Sequence, residues 1–239
     1  MELLRPRHLV LVRHGESEGD IRRKEGLHAI RHPKDEEQTE TGHDHSQRAG
    51  LWIAKYILGV YGFKKFDKYL TSPLVRTRQS AQSLGLADNW TEEVRLTERN
   101  RGDIQGFTMQ QHKDKYPDSY KTMHKYPFHW VPPGGESILA VSHRFGTLVD
   151  ELTSLGNVLM MTHRDVIWAA HIPLDGLGLD DVEHLDTNAI ENGQVIHYTN
   201  INPNSGSVEG TELAWKHAVQ PTTGTQKMQR NEWINLARP

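Results

Sequence analysis

The chain has 239 residues, of which 25% are charged, and a formal net charge of −3. This length suffices for one large domain with its own core, and the charge balance offers no basic field for nucleic acid. Because the chain has no cysteine, it has no disulfide, thiolate metal ligand or thiol nucleophile. It shows no secretory pattern and no apolar run of membrane length, so we expect a cytoplasmic protein with no membrane partner. We expect a single domain over residues 1–239 and a monomer or homodimer.

The first predicted elements alternate between strand and helix. Residues 8–12 are an apolar run too short for a helix, which predicts a buried strand. Residues 16–38 are polar and charged, which predicts a loop-like excursion. Apolar residues at helical spacing then predict a helix that begins near Thr39 or Thr41 and ends near Gly62.

A second strand and helix follow, and then a less regular region. Residues 66–73 predict a strand, and the helix after it has Pro73 in its first turn, a favoured position. Residues 93–106 predict a strand that runs into a loop punctuated by glycine. Residues 107–133 are polar and aromatic with little periodicity, so no element is assigned to them.

The last third of the chain completes an alternating pattern. Residues 134–152 predict an amphipathic helix, residues 157–163 a buried strand and residues 164–171 a further helix. Asn192-Gly193 between apolar residues predicts a hairpin, and the polar tail from about 202 has no assignment. Strands alternating with helices predict a three-layer α/β/α sandwich around a mostly parallel sheet.

Charged and titratable residues follow several of these strands. Arg13 and His14 end the first strand, Ser72 and Arg76 follow the second, and His163 ends the strand before the last helix. The carboxyl ends of parallel strands share one edge of a sheet, where open α/β sheets bind ligands. Because the arginine fork suits phosphate oxygens, the pattern predicts a phosphoryl-binding pocket.

The motifs around these residues resemble those of a known family. The stretches are "LVRHGES", "TETGHDHSQRAG", "TSPLVRTRQSA", "LTERNRGDIQG", "GGES" and a strand ending in His163. In this order and spacing, over roughly residues 8–200, they are similar to the histidine phosphatase superfamily, the phosphoglycerate mutase-like proteins. The tripeptide Arg13-His14-Gly15 alone would be weak evidence, whereas the five quoted stretches in this order are strong evidence.

The resemblance implies a role for each matching residue. His14 would be the nucleophile that accepts the phosphoryl group, and Glu98 would be the proton donor of the phosphatase and mutase branch. Arg13, Arg76 and His163 would hold the phosphate without a metal or other cofactor. The Gly15 amide and Ser17 would add hydrogen bonds to the phosphate.

The sequence departs from the family pattern at two places. Asp20 stands where many relatives have asparagine, so it either points away from the anion or helps to select a different substrate. Arg164 and Asp165 stand where glycine usually follows the second histidine. Arg164 would add a cation to the pocket, whereas Asp165 is an alternative acid or, as we prefer, a cap of the following helix.

Two other segments carry competing interpretations. The histidines of "HDH" at 43–45 lie on different faces of the predicted helix, so no metal site is expected there. Residues 108–133 are either a lid over the pocket, with lysines that recruit an anionic substrate, or an ordinary solvated excursion. The lysines concerned are Lys113, Lys115, Lys121 and Lys125.

The pattern leaves three functions to distinguish. The first is a metal-independent phosphomonoester hydrolase that acts on a small phosphorylated molecule. The second is a cofactor-dependent phosphoglycerate mutase, which is disfavoured by Asp20 and by "RGDIQG" in place of the "YGxLxG"-type stretch of glycolytic mutases. The third is a non-catalytic phosphate-binding module. Residues 19–38 and 103–135 are expected to determine the substrate.

Overall fold

The computed structural model of the chain describes residues 6–24, 36–152, 156–178, 190–221 and 233–236. Within these ranges the strands form one sheet in the order β3-β2-β4-β1-β5-β6-β7. The strands are β1 (His8–Arg13), β2 (Lys68–Thr71), β3 (Thr91–Glu92), β4 (Asn157–Thr162), β5 (Val195–Thr199), β6 (Trp215–Val219) and β7 (Ile234–Asn235).

The sheet is mostly parallel, as the alternation of elements predicts. Strands β1 to β4 pair with one another in parallel, whereas β5 pairs antiparallel with β1 and with β6. The helices are α1 (Glu18–Lys24), α2 (Glu40–Ile53), α3 (Gly59–Tyr61), α4 (Val75–Ser83), α5 (Met109–Lys115), α6 (Pro117–Lys125), α7 (Ile138–Glu151) and α8 (Arg164–Asp175). In the described ranges none of them is long and apolar enough to cross a membrane.

The two faces of the sheet bury two separate apolar cores. Along β1 the side chains alternate between faces, so Leu9 and Leu11 pack with α7 and α8, whereas Val10 and Val12 pack with α2 and α4. All four are fully buried. The sheet is therefore covered by helices on both faces, and the predicted three-layer α/β/α fold is confirmed.

Three local predictions in the first half of the chain differ from the structure. Pro73 precedes α4, whose N-cap is Leu74. The strand predicted to lead into the loop within residues 93–106 is wrong: β3 ends at Glu92, and a 3₁₀ helix over Val94–Leu96 follows, with Val94 71% exposed. The polar residues 16–38 contain α1 and are not only loop, and residues 25–35 of that excursion lie outside the described ranges.

The C-terminal half contains further differences. The unassigned residues 107–133 form α5 and α6, and Thr108 starts α5 with a capping box to Gln111. The turn at Asn192-Gly193 exists, but the predicted hairpin is wrong because both edges of β5 are occupied, by β1 and β6. The tail from about 202 supplies β6 and β7.

Three histidines cluster where β1, β5 and β6 lie side by side, away from the carboxyl end of β1. His8 Nδ1 lies 3.0 Å from His197 Nε2, and the rings of His197 and His217 both contact Trp233. Burial, with a smaller effect of Arg7, lowers the pKa of His8 to about 4. Burial likewise lowers the pKa of His197 well below its usual value and that of His217 to about 4. The folded protein therefore keeps this cluster neutral.

This cluster is expected to make the protein less stable in mild acid. Below the unfolded pKa of about 6.5 the unfolded chain binds a proton that folded His8 rejects until about pH 4. At pH 5 this costs about 2 kcal/mol. The free energy of unfolding, measured with denaturant, should fall between pH 7 and pH 5 by about 2 kcal/mol less in His8→Asn than in the wild type. Asparagine keeps a polar atom near the Nδ1 position. An equal drop in both proteins would contradict the prediction.

Candidate active site

Two histidines lie side by side at the carboxyl edge of the sheet. His14 follows β1 and His163 follows β4, and the parallel register that pairs Arg13 with Thr162 brings the two rings to 5.1 Å between centroids. Arg76 lies in the first turn of α4, which follows β2, and its guanidinium contacts His163. All three side chains are buried. The structure thus brings together residues that are far apart in the chain, as predicted.

A pair of glycines lets the chain approach closely at this edge. A Cβ on Gly15 would lie 2.1 Å from the carbonyl oxygen of Gly42, and a Cβ on Gly42 would lie 2.0 Å from that of Glu16. Both distances are far below any tolerated contact, so larger residues would separate the segment after β1 from the start of α2. The glycines of two sequence motifs therefore set the position of His14.

The hydrogen bonds of His14 determine which ring nitrogen carries its lone pair. Nδ1 lies 2.7 Å from the carbonyl oxygen of Gly15, which can only accept, so Nδ1 carries the proton. Burial lowers the pKa of His14 well below its usual value, an effect that Arg76 and Arg13 reinforce and Asp20 opposes. His14 is therefore neutral, with its lone pair on Nε2.

The second histidine has the opposite tautomer. Arg76 Nη2 lies 3.2 Å from His163 Nδ1, and because a guanidinium can only donate, that nitrogen accepts. Nε2 then carries the hydrogen and donates to Ser72 Oγ at 2.8 Å. Burial lowers the pKa of His163 well below its usual value, and the charge of Arg76 lowers it further. His163 is a neutral ring held in position from both sides.

The Asp20 carboxylate faces the cluster and does not point away from it. Oδ1 accepts from Arg13 Nη2 at 2.9 Å and from Arg23 at 2.8 Å, and Oδ2 lies 3.9 Å from His14 Nδ1. Burial opposes its ionisation, but the charges of Arg13 and Arg23 hold its pKa well below the usual range. Asp20 thus places a permanent negative charge beside Arg13.

Two expected phosphate donors already have acceptors within the protein. The Gly15 amide donates to Ser80 Oγ at 3.0 Å, and the Ser17 amide and hydroxyl donate to Asp20 Oδ2 at 3.0 and 2.8 Å. In this structure Ser17 therefore helps to orient Asp20 and the Gly15 amide is held by Ser80, while their contacts with phosphate stay a prediction. Asn192 Nδ2 adds a hydrogen bond to the same oxygen at 3.1 Å.

Sequence reasoning missed Glu36, a buried carboxylate next to Arg76. Its Oε2 lies 3.5 Å from Arg76 Nη1, and its Oε1 accepts from Arg22 at 3.4 Å. A Cβ on Gly19 would lie 2.1 Å from Oε2, so a larger residue at position 19 would displace the Glu36 carboxylate. No local pattern marks this glutamate, because its partner lies 40 residues away.

Asp20→Asn is expected to lower stability and to strengthen phosphate binding. The variant loses the charge that pairs with Arg13 and Arg23, at a cost of about 3 kcal/mol for a broken buried ion pair. The same change removes a repulsive charge near any bound anion, so inhibition by inorganic phosphate should become roughly tenfold tighter. Thermal unfolding and the phosphate inhibition constant measure both effects. Weaker phosphate inhibition would mean that Asp20 supports the anion.

A cavity of about 680 Å³ opens next to this cluster. Arg76 lines it, whereas Arg13, His14 and His163 do not. Lys113, Lys115, Lys121 and Lys125 of the predicted lid are exposed and do not line it either. The residues that line the cavity include Arg76, Glu98, Arg101, Ile104, Phe107 and Arg164.

Glu98 contributes a carboxyl group to the cavity wall. It follows the 3₁₀ helix that Thr162 anchors by donating to the carbonyl oxygen of Leu96 at 2.9 Å. Burial raises the pKa of Glu98, the negative charge of Asp165 raises it further, and Arg76 opposes both. A carboxyl group with a raised pKa keeps its proton to higher pH than an exposed carboxyl group does.

Arg164 and Asp165 join Arg101 on the same side of the cavity. Asp165 is the second residue of α8 and is 3% exposed. Its oxygens accept from Arg101 Nη2 at 2.9 Å and from Arg164 Nε at 3.4 Å. The interpretation of Asp165 as a helix cap is therefore wrong, because His163 is the N-cap residue of α8 and the Asp165 carboxylate accepts from arginines.

The "HDH" segment lies in α2, outside this cluster. His43 Nδ1 lies 2.7 Å from Ser83 Oγ, which ties α2 to α4. Within the part of the chain that the structure describes, no three histidine, aspartate or glutamate residues are arranged to hold a metal ion.

A three-layer fold whose central strands lead into two buried histidines and two buried arginines is typical of the histidine phosphatase class. The model of the histidine phosphatase superfamily (branch 1) matches residues 9–205. That is most of the chain, which therefore belongs to this superfamily.

Individual relatives are mutases and phosphatases. The chain is 29% identical over 190 residues to a 2,3-bisphosphoglycerate-dependent phosphoglycerate mutase of Cytophaga hutchinsonii, covering 74% of this chain and 82% of the relative. It is similar to a mycobacterial glucosyl-3-phosphoglycerate phosphatase with a TM-score of 0.63 and 25% identity, over 80% and 92% of the two chains. The alpha-ribazole phosphatase of Shigella flexneri shares the fold with a TM-score of 0.64 and 20% identity, over 86% and 96%.

Proposed function

We propose that the protein is a metal-independent phosphomonoester hydrolase that forms a phosphohistidine on His14. The observation that carries this proposal is the tautomer of His14: a neutral ring with its Nδ1 proton on the Gly15 carbonyl presents its lone pair on Nε2. A neutral imidazole nitrogen can attack phosphorus and divide one displacement into two easier ones. Arg13, Arg76 and His163 surround the ring.

In the first step, the Nε2 lone pair forms a bond to phosphorus while the bond to the ester oxygen breaks. Glu98 supplies the proton that neutralises the leaving alkoxide, a role supported by its raised pKa and its place on the cavity wall. The guanidinium groups of Arg13 and Arg76 offset the negative charge on the phosphoryl oxygens in the transition state.

In the second step, the Glu98 carboxylate takes a proton from water as the water oxygen attacks the phosphohistidine. The bond between phosphorus and Nε2 breaks, the electron pair returns to His14 and inorganic phosphate leaves. The proton taken up by Glu98 restores its starting state, so the cycle balances without a metal or other cofactor.

The decisive experiment is hydrolysis of p-nitrophenyl phosphate in the presence of EDTA, combined with acid-labile phosphate trapping on the protein. Turnover with a label that is lost in acid and retained in base, as expected of a phosphoramidate, supports the proposal. Turnover that EDTA abolishes would contradict the metal-independent mechanism.

A phosphoglycerate mutase is the second candidate, because a relative with 29% identity carries that name. A mutase returns the phosphoryl group to its substrate and excludes water from the phosphohistidine. Isomerisation of phosphoglycerate that depends on 2,3-bisphosphoglycerate, with little release of phosphate from monoesters, would favour the mutase. A protein that binds phosphate but neither hydrolyses nor isomerises would be a non-catalytic phosphate-binding module.

A further inference from the structure

The cavity has more positive charge than one phosphoryl group requires. Five arginines and two glutamates line it, the arginines being Arg23, Arg76, Arg99, Arg101 and Arg164. Arg76 has Glu36 beside it, and Arg23 pairs with Asp20. The other positive charges on the wall belong to Arg99 and Arg101, which follow the 3₁₀ helix over Val94–Leu96, and to Arg164 at the start of α8.

Arg101 and Arg164 form a braced pair on this wall. The Asp165 carboxylate is buried and holds one guanidinium on each oxygen, at 2.9 and 3.4 Å. Burial opposes its ionisation, but the charges of Arg101 and Arg164 prevail and lower its pKa. The three side chains together carry one net positive charge, and the brace positions both arginines before any ligand arrives.

Among the residues that the structure describes, both arginines keep donors for a ligand. Each has five N–H groups, and its contact with Asp165 uses one of them. Their side chains are 35% and 36% exposed, and both line the cavity. The N–H groups that Asp165 does not use are suited to a second planar or tetrahedral anion, because the arginine fork matches such groups.

The braced pair lies within electrostatic reach of the proposed phosphoryl site. The charge of Arg164 lowers the pKa of Arg13, after the larger effect of burial, and Glu98 helps to raise the pKa of Arg164. Arg101 lies near Arg99, whose pKa is lowered to about 10 by burial and then by the charge of Arg101. Ile104 and Phe107 add apolar surface to the same cavity.

We propose that Arg101 and Arg164, positioned by Asp165, bind a second anionic group of the substrate. The substrate is then a small phosphomonoester that also carries a carboxylate or a second phosphoryl group, joined to the reacting ester by a short carbon chain. This inference rests on the proposed function for the place of the reacting phosphoryl group, near Arg76 and Glu98.

The test compares substrates that differ only in the second group. Glycerol 3-phosphate has none, 3-phosphoglycerate has a carboxylate at the same chain length, and glycerol 1,3-bisphosphate has a second phosphoryl group. Arg101→Gln and Arg164→Gln should each lower kcat/KM about 10- to 100-fold for one or both substrates that carry a second anionic group, as expected for a lost charge-assisted hydrogen bond. The value for glycerol 3-phosphate should change less than about threefold, which also reports correct folding.

Arg78→Gln is the matched control, because Arg78 is an exposed arginine that pairs with Glu92 outside the cavity. It should leave the substrate ratio at the wild-type value. Equal losses on all three substrates would overturn the inference, because Arg101 or Arg164 would then act on the reacting phosphoryl group or on folding. Unchanged kinetics on all three substrates would overturn it as well.

Binding to His14→Ala separates this inference from the proposed hydrolysis. Calorimetric titration of His14→Ala with 3-phosphoglycerate and with the bisphosphate should show 10- to 100-fold weaker binding of at least one when Arg101→Gln or Arg164→Gln is added. That result supports the second anion site even if the wild type hydrolyses none of the substrates. Identical affinities with and without these arginines would reject the site, whatever the wild type catalyses.

Discussion

Replacement of His14 by alanine is expected to reduce kcat for p-nitrophenyl phosphate by about 10⁴- to 10⁶-fold, the range seen when a covalent nucleophile is removed. The loss is large because neighbouring residues cannot supply the missing bond: His163 has both ring nitrogens engaged, with Arg76 and with Ser72. Steady-state kinetics and the acid-labile phosphate label measure the effect. Turnover and the label should be lost together.

His143→Ala is the control for His14→Ala, since His143 is an exposed histidine on α7. It should retain wild-type activity and the label. Activity that survives in His14→Ala would show that a different nucleophile or a contaminating enzyme is at work. A label that persists without turnover would place the phosphohistidine on another residue.

Glu98→Gln is expected to slow hydrolysis of alkyl phosphates by about 10²- to 10⁴-fold, the usual contribution of a general acid. The loss should be smaller for p-nitrophenyl phosphate, because p-nitrophenolate is a good leaving group that needs little protonation. The protonated form of Glu98 is the acid, so kcat/KM for alkyl phosphates should fall as pH rises through its raised pKa. Glu98→Gln should flatten that limb of the pH profile.

Asp165 is the competing acid, and Asp165→Asn distinguishes the two assignments. The positive charges of Arg101, Arg164 and Arg99 lower the pKa of Asp165, so it is ionised and has no proton to give. Asp165→Asn should therefore keep the wild-type dependence of rate on the leaving group. If the rate depends more steeply on the leaving group in Asp165→Asn than in Glu98→Gln, Asp165 and not Glu98 is the acid.

Local sequence patterns predicted the central elements well. The apolar run at residues 8–12 and the run before His163 form β1 and β4, and the amphipathic pattern from 134 to 152 contains α7. These succeed because periodicity and burial act between neighbours in the chain. The strand predicted at the start of residues 93–106 is wrong, because one buried residue, Leu96, does not distinguish a strand from a 3₁₀ turn.

The candidate site could be predicted only in part. The chain order of strands placed Arg13, His14, Arg76 and His163 at one edge of a parallel sheet, and the structure brings them together there. The environment of Asp20 could not be predicted, because its partners include Asn192, 172 residues away. Sequence therefore indicated which residues meet, and not which charges neutralise one another.

By itself the sequence determined the central strands β1, β2 and β4, the helices α2, α4, α7 and α8, and the motifs that indicate the family. Only the tertiary structure determined that Glu36 lies at Arg76, that β5 pairs with β6, and that Asp165 holds Arg101 across 64 residues of chain. Ion pairs between distant segments depend on burial and Coulomb interaction in three dimensions, and local periodicity carries no record of either.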